Sequence, residues 1–239
     1  MTNRREFLMG AGVLAAGGAL AGTKVDAEAA PFTPTGNCLK ITGTFLDEIT
    51  WDIPHQNWGY REWEQDFLNM KAIGIDTVIM IRCGLRKFVT FPSRRLLGRG
   101  CYMPSTDLVA MFLRLAEKHG MSFYFGLYDP GIEDTKDENP WLRDYTEANL
   151  PLIEEVWRPY GGYPAFKGWY LSSEFNSKYL TVGIDTLTRL GKQCKGVSGD
   201  HPTLISPYVS GKKAVSAFNA MTRKKAGDTV DEYAKKWDE

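Results

Sequence analysis

The feature that most constrains this chain is a repeat in which a short apolar run is followed by a helical stripe. The runs are Leu39 to Leu46, Thr77 to Ile81, Met121 to Tyr128, Phe166 to Leu171 and Thr203 to Ser206. Each is short, rich in β-branched or aromatic residues and bounded by polar turns, so each reads as a buried strand. Between the first two, Trp63, Phe67, Met70 and Ile73 recur at spacings of four and three, and Leu108, Phe112 and Leu115 repeat that stripe before the third. Such stripes are the buried faces of amphipathic helices. Gly74 and Gly120 stand just ahead of the second and third strands, where a helix end needs a residue that can turn left-handed. A third helix is expected from Asn139-Pro140, with proline in the first turn, and Pro151 is expected to kink or divide it before Trp157. A fourth passes Ile184, Leu187 and Leu190, and a last helical stretch runs from about Val215 to Trp237, broken near Gly227.

Alternation of this kind implies a parallel sheet with right-handed crossovers and both faces covered. Strands begin near residues 39, 77, 121, 166 and 203, so the units are about 40 residues long and five of them fill the chain. The architecture is therefore α/β, with two arrangements open: a complete five-stranded doubly wound sheet, or five βα units of a (β/α)8 TIM-like barrel, an incomplete barrel. Both bind ligands at the carboxyl ends of their strands. No Gly-x-Gly-x-x-Gly and no Walker loop follows the first strand, which removes support for a nucleotide site and weakens the doubly wound alternative.

The strand ends carry the chemistry. After the first come Asp47 and Glu48, then a loop with Trp51, Asp52, His55, Asn57 and Trp58; after the second Arg82 and Cys83; after the third Tyr128 and Asp129. The fourth ends Leu171-Ser172-Ser173-Glu174-Phe175-Asn176 and the fifth Ser206-Pro207-Tyr208. Glu174 is the candidate catalytic residue. A carboxyl at the end of a buried strand near Trp169 and Tyr170 can have its pKa raised enough to give a proton to a leaving oxygen. Glycosidic cleavage needs that proton and a second carboxylate across the sugar ring, a role for which Asp47, Glu48 and Asp129 compete. Each of these acids fits equally well as a loop cap, and Glu174 as a structural residue held by an Arg or by backbone N–H groups. Asp47, Trp58, Arg82, Tyr128, Asp129, Asn176 and Tyr208 are the candidate substrate-positioning residues. Trp51, Trp58 and Tyr60 offer flat faces for a sugar ring, or a hydrophobic cap beneath the loop.

Composition narrows the partners. The sequence carries 29 Lys and Arg against 29 Asp and Glu, so no overall field draws it to nucleic acid, and its basic clusters are short and scattered. Cys38, Cys83, Cys101 and Cys194 form no C-x-x-C pair and read as small buried residues, so no metal or other cofactor is expected.

Residues 1–29 look like an export signal. Arg4-Arg5-Glu6 is followed by a stretch from Phe7 to Gly22 in which five of sixteen residues are glycine, and by small residues at Ala27 and Ala29. The pattern resembles a twin-arginine signal cleaved after Ala29, with Arg4 and Arg5 engaging the translocation machinery. The stretch is short of the ~20 apolar residues of a membrane span, so none is expected after cleavage. The remainder, 30–239, is expected as one domain, delivered folded to the periplasm, the cell surface or the exterior.

Several segments together resemble a known bacterial family, the domain of unknown function 4434. They are Ile41-Thr42-Gly43-Thr44-Phe45-Leu46, Trp63, Met70-Lys71-Ala72-Ile73-Gly74-Ile75-Asp76-Thr77-Val78-Ile79, Phe125-Gly126-Leu127-Tyr128, Gly168-Trp169-Tyr170-Leu171 with Glu174, and Ile205-Ser206-Pro207-Tyr208. The resemblance implies a secreted, glycosidase-like TIM barrel acting on or binding carbohydrate. In many retaining barrel glycosidases the acid/base Glu ends the fourth strand, often after an Asn, and the nucleophile ends the seventh. Glu174 fits the first position with Ser173 in place of the Asn, and a C-terminally truncated barrel is the corresponding expectation. A noncatalytic carbohydrate-binding or surface protein is the alternative.

Overall fold

The computed structural model describes residues 40–50, 58–131, 139–173 and 180–207, with Asp231, Ala234 and Lys235 near the C-terminus. They belong to one compact unit, Lys40–Glu239. The expected export signal and most of the last helical stretch lie outside the described residues.

The five expected strands are all present. They are β1 (Gly43–Leu46), β2 (Thr77–Met80), β5 (Ser122–Gly126), β7 (Phe166–Tyr170) and β8 (Thr203–Leu204), joined in the order β1-β2-β5-β7-β8 with every pair parallel. The order follows the chain without reversal. A doubly wound sheet reverses at its switch point, so this is the winding of a barrel. With right-handed crossovers it gathers the helices on one side of the sheet rather than on both, as expected from alternation alone.

The sheet is also curled. Three inter-strand steps separate β1 from β7, which at ~4.8 Å each would hold them roughly 14 Å apart in a flat sheet. Yet the rings of Phe45 and Tyr170 lie 5.1 Å apart, centroid to centroid. They meet across a concave face.

The opposite face packs under α1 (Tyr60–Ala72), α3 (Leu108–Lys118), α4 (Asn139–Tyr160) and α5 (Leu180–Ser198). Val78, Met80, Phe123, Phe125, Phe166 and Trp169 are buried there. Phe112 stacks on Phe67 and meets the edge of Trp63, Trp157 meets the edge of Phe166, and Trp169 Nε1 donates to Ser198 Oγ at 2.9 Å. A buried indole N–H thereby has the partner it needs. Gly126 is fixed by close approach: a Cβ there would stand 2.1 Å from the Met80 carbonyl oxygen, inside the β2–β5 step.

Helix ends follow the expected chemistry. Asp107 Oδ1 accepts from Ala110 N at the start of α3, the Glu62 carboxylate accepts from Gly59 N at the start of α1, and Gly74 and Gly120 take positive φ beyond the ends of α1 and α3.

Three details differ from the sequence expectations. Ile73 belongs to the stripe by spacing but caps α1 at 78% exposure, because the chain is already turning into Gly74. Helix α4 runs as one element through Pro151, neither ended nor divided there. Between β2 and α3 the chain builds β3 (Gly84–Leu85), β4 (Phe88–Val89) and α2 (Arg94–Gly98); with β6 (Tyr128–Asp129) the strands form a second sheet, ordered β4-β3-β6. Two-residue strands leave no periodic signal to read.

Candidate functional site

At the end of β1 two neighbouring acids take opposite roles. Asp47 Oδ1 accepts from the amides of Ile49 and Thr50 at 3.3 and 3.1 Å, and Oδ2 accepts from the Thr50 hydroxyl. It closes the turn that leaves the strand, a role the sequence left open for it. Glu48 is 3% exposed, and neither carboxylate oxygen has a hydrogen-bond partner among the described residues. Burial away from water pushes its carboxyl well above the ordinary glutamate value. The Asp47 charge adds to that shift. The backbone amide of Glu48, near but outside hydrogen-bond geometry, and the Arg82 guanidinium oppose it.

Arg82, at the end of β2, pairs through Nη1 with Asp129 Oδ2 at 3.1 Å, and both side chains are about one-fifth exposed (21% and 18%). Its Nε is buried without a hydrogen-bond partner among the described residues. Asp129 Oδ1 also accepts from Gly131 N at 2.8 Å, so this carboxylate is oriented by a cation on one side and a backbone turn on the other. Cys83 follows Arg82 and is fully buried. Burial and then the Glu48 charge raise its thiol well above the usual value, which leaves it protonated and a poor nucleophile.

Tyr128 is held rigidly at the end of β5. Asn149 of α4 accepts from its backbone N–H at 2.9 Å and donates to its carbonyl at 2.8 Å, and the phenol donates to the Arg86 carbonyl at 2.6 Å. Its hydroxyl is thus engaged in holding the hairpin between β3 and β4, whose turn includes Arg86 at φ 54°. Trp58 meets Trp63 edge-on at 5.1 Å and packs at the margin of the core, the capping arrangement rather than a free flat wall. Tyr60 is more exposed, with the Lys118 ammonium over its ring.

Beyond β7, Ser172 Oγ donates to the Leu127 carbonyl at 3.0 Å. Ser173, 3% exposed, has no hydrogen-bond partner for its hydroxyl among the described residues, and the same holds for Tyr145 of α4. The Tyr145 phenol is raised mainly by burial; Ser173 tempers the shift and the nearby Asp129 charge adds to it. Glu174, Asn176 and Tyr208 lie outside the described residues, as do Trp51, Asp52, His55 and Asn57.

Of the expected residues, then, Arg82 and Asp129 are brought together directly, with Tyr128 preceding Asp129 in the same short strand, whereas Asp47 closes its own turn and Trp58 packs on Trp63. Glu48 was a competitor only for the second carboxylate, and Ser173, Tyr145 and Asn149 had no binding role in the sequence reading. The available signal was Asp47-x-x-Thr50, the spacing of a side-chain-capped turn, which commits Asp47 and frees its neighbour. No group of three His, Cys, Asp or Glu side chains able to hold a metal ion occurs among the described residues.

Fold and site together define an α/β protein of the TIM-barrel type, with polar side chains converging at the carboxyl ends of parallel strands. The chain belongs to the family described as Domain of unknown function (DUF4434), whose model matches residues 41–239. It is 49% identical to "a putative alpha-L-fucosidase" of known structure from Bacteroides thetaiotaomicron VPI-5482, with a TM-score of 0.72. That match covers 91% of this chain and 65% of the other. Alpha-L-fucosidase isoenzyme 2 from Paenibacillus thiaminolyticus shares the fold at 12% identity and a TM-score of 0.50, over 73% of this chain and 34% of its own. This chain therefore spans less than two thirds of either structure's length. No curated protein matches.

Proposed function

We propose that this is an exported, glycoside-hydrolase-like protein that holds a carbohydrate at the strand-end rim, with Glu174 as general acid/base. The observation that carries the reading is the rim itself: Arg82 and Asp129 pair across two strand ends, and Glu48, at the end of the strand beside that of Arg82, buries a carboxyl with no hydrogen-bond partner among the described residues. The likeness to the Bacteroides protein supports an α-L-fucoside as the first substrate to try. In hydrolysis of such an O-glycosidic bond, Glu174 gives its proton to the leaving oxygen. A second carboxylate attacks the anomeric carbon or deprotonates the attacking water. Arg82 and Asp129 offer a donor and an acceptor of fixed orientation for sugar hydroxyls. Asn176 and Tyr208, on the same strand ends in sequence, complete the polar rim in this reading.

The deciding experiment compares the protein with its Glu174→Gln variant on a panel of aryl glycosides that begins with α-L-fucoside, with binding followed by tryptophan fluorescence. Loss of several orders of magnitude in kcat/KM is the expected outcome, and unchanged turnover would remove Glu174 from the mechanism. Saturable binding without turnover would select the noncatalytic carbohydrate-binding reading. Export by the twin-arginine route, to the periplasm, cell surface or exterior, predicts an N-terminus at Ala30 in the processed protein. Replacing Arg4 and Arg5 by Lys should cause the precursor to accumulate in the cytoplasm.

A further inference from the structure

Among the described residues, side-chain atoms that are buried without a hydrogen-bond partner include both Glu48 oxygens, Arg82 Nε, Ser173 Oγ and the Tyr145 hydroxyl. All four residues stand at strand ends or on the helix behind them. Glu48 and Arg82 each stand two residues beyond the Leu46–Met80 pair of neighbouring parallel strands, Arg82 pairs with Asp129, and Tyr145 lies within reach of the Ser173 hydroxyl and the Asp129 charge. The rest of the core behaves differently, since Trp169, Asn149, Thr146 and Thr186 all have their polar groups bonded.

A buried polar atom without a partner costs about 1–3 kcal/mol, and more when it belongs to an ionisable group. Such a cost repeated at one place points to a partner that the described residues do not supply.

We propose that Glu48 and Arg82 form a built subsite at the floor of the rim, and that one hydroxyl of the bound sugar supplies the hydrogen bonds that the Glu48 carboxyl and Arg82 Nε lack. This deepens the carbohydrate reading above and rests on it. The chemistry matches on both sides. A sugar hydroxyl donates one hydrogen bond and accepts two; Arg82 Nε only donates, and the Glu48 carboxyl accepts. Arg82 gives the subsite a route from solvent, because its side chain is one-fifth exposed at the Asp129 pair while its Nε lies buried. Asp47 cannot take this place, with its carboxylate committed to the turn.

The test replaces Glu48 by Met, which keeps the volume and removes the polar atoms, and by Gln, which keeps a neutral donor and acceptor. Sugar affinity is measured by titration calorimetry against L-fucose, D-galactose, D-glucose and D-mannose, and thermal unfolding is followed in parallel. Glu48→Met is expected to melt about 2–4 °C higher and to bind the preferred sugar about tenfold or more weakly. Glu48→Gln should bind within about threefold of the unsubstituted protein. Three results would overturn the subsite alone. Unchanged affinity in Glu48→Met alongside a raised melting temperature would assign the orphan atoms to buried water. A lower melting temperature or failure to fold would make Glu48 structural. Loss of binding in Glu48→Gln would show that the ionised carboxylate is what the sugar needs. If the unsubstituted protein binds no sugar of the panel, the carbohydrate reading falls, and the subsite with it.

Discussion

The helix-covered side of the sheet and the ends of the same strands are built to different standards. Under the helices, Phe67 stacks on Phe112 and Phe125 on Phe166, Trp169 meets the last two edge to face, and its indole N–H is bonded to Ser198. A few residues along the chain, at the strand ends, Glu48, Arg82 and Ser173 bury polar atoms that have no hydrogen-bond partner among the described residues. One region minimises free energy; the other gives some of it up. Stability in this molecule comes from the first, and the capacity to act on something else is concentrated in the second.

The contrast is tested most severely by truncation on the packed side. Trp169→Ala should lose about 3–5 kcal/mol in urea unfolding, because it opens a large cavity and removes the indole hydrogen bond to Ser198. A loss below about 1 kcal/mol would mean that this face is not the source of stability. Next comes the junction between the regions: Asn149→Ala leaves the backbone N–H and C=O of Tyr128 unpaired and should cost about 2–3 kcal/mol.

The pH dependence of unfolding sharpens the difference further. The Glu48 carboxyl is raised in the folded protein, so over the range between its ordinary and raised values the native state holds a proton that the unfolded state has released. This contribution to stability is therefore greatest at low pH and declines as pH rises, and Glu48→Gln should remove the decline. An unchanged pH slope in that variant would show that Glu48 ionises normally. Asp107→Ala, loss of a helix cap and of the acceptor for the Tyr160 hydroxyl, should cost about 1–2 kcal/mol. Smallest of all, a thiol reagent should leave Cys83 and Cys194 untouched in the native state and label both in denaturant. Both are buried, and the Cys194 thiol is pushed up to about 12.

The fold was legible where burial is periodic and long enough to count. Strands β1, β2, β5, β7 and β8 were readable as apolar runs, and Gly74 and Gly120 as left-handed helix ends, because these signals are local. Strand order was not local. That the sheet winds without reversal follows from packing across distant segments, and sequence alone kept two arrangements open. Of the two expectations at Pro151, a kink or a division, the division did not occur, and at Ile73 a correct period ran one residue too far. At the site, Arg82 and Asp129 were found by their place after strands. Glu48 was visible as an acid but could not be separated from Asp47 by position, since the choice between them is made by a turn. Tyr145 and Asn149 were illegible because they come from a helix whose polar residues look like surface until the sheet behind them is placed.

Asn149 has a wider implication. Its carboxamide binds the N–H and C=O of Tyr128 much as an adjacent β-strand would, so one side chain on α4 substitutes for a length of sheet. The aim of Asp129, the next residue, is consequently set from the back of the molecule. Variants selected for a new ligand preference need not alter any residue that meets the ligand; exchanges along the hidden face of α4 would re-aim the acid from behind.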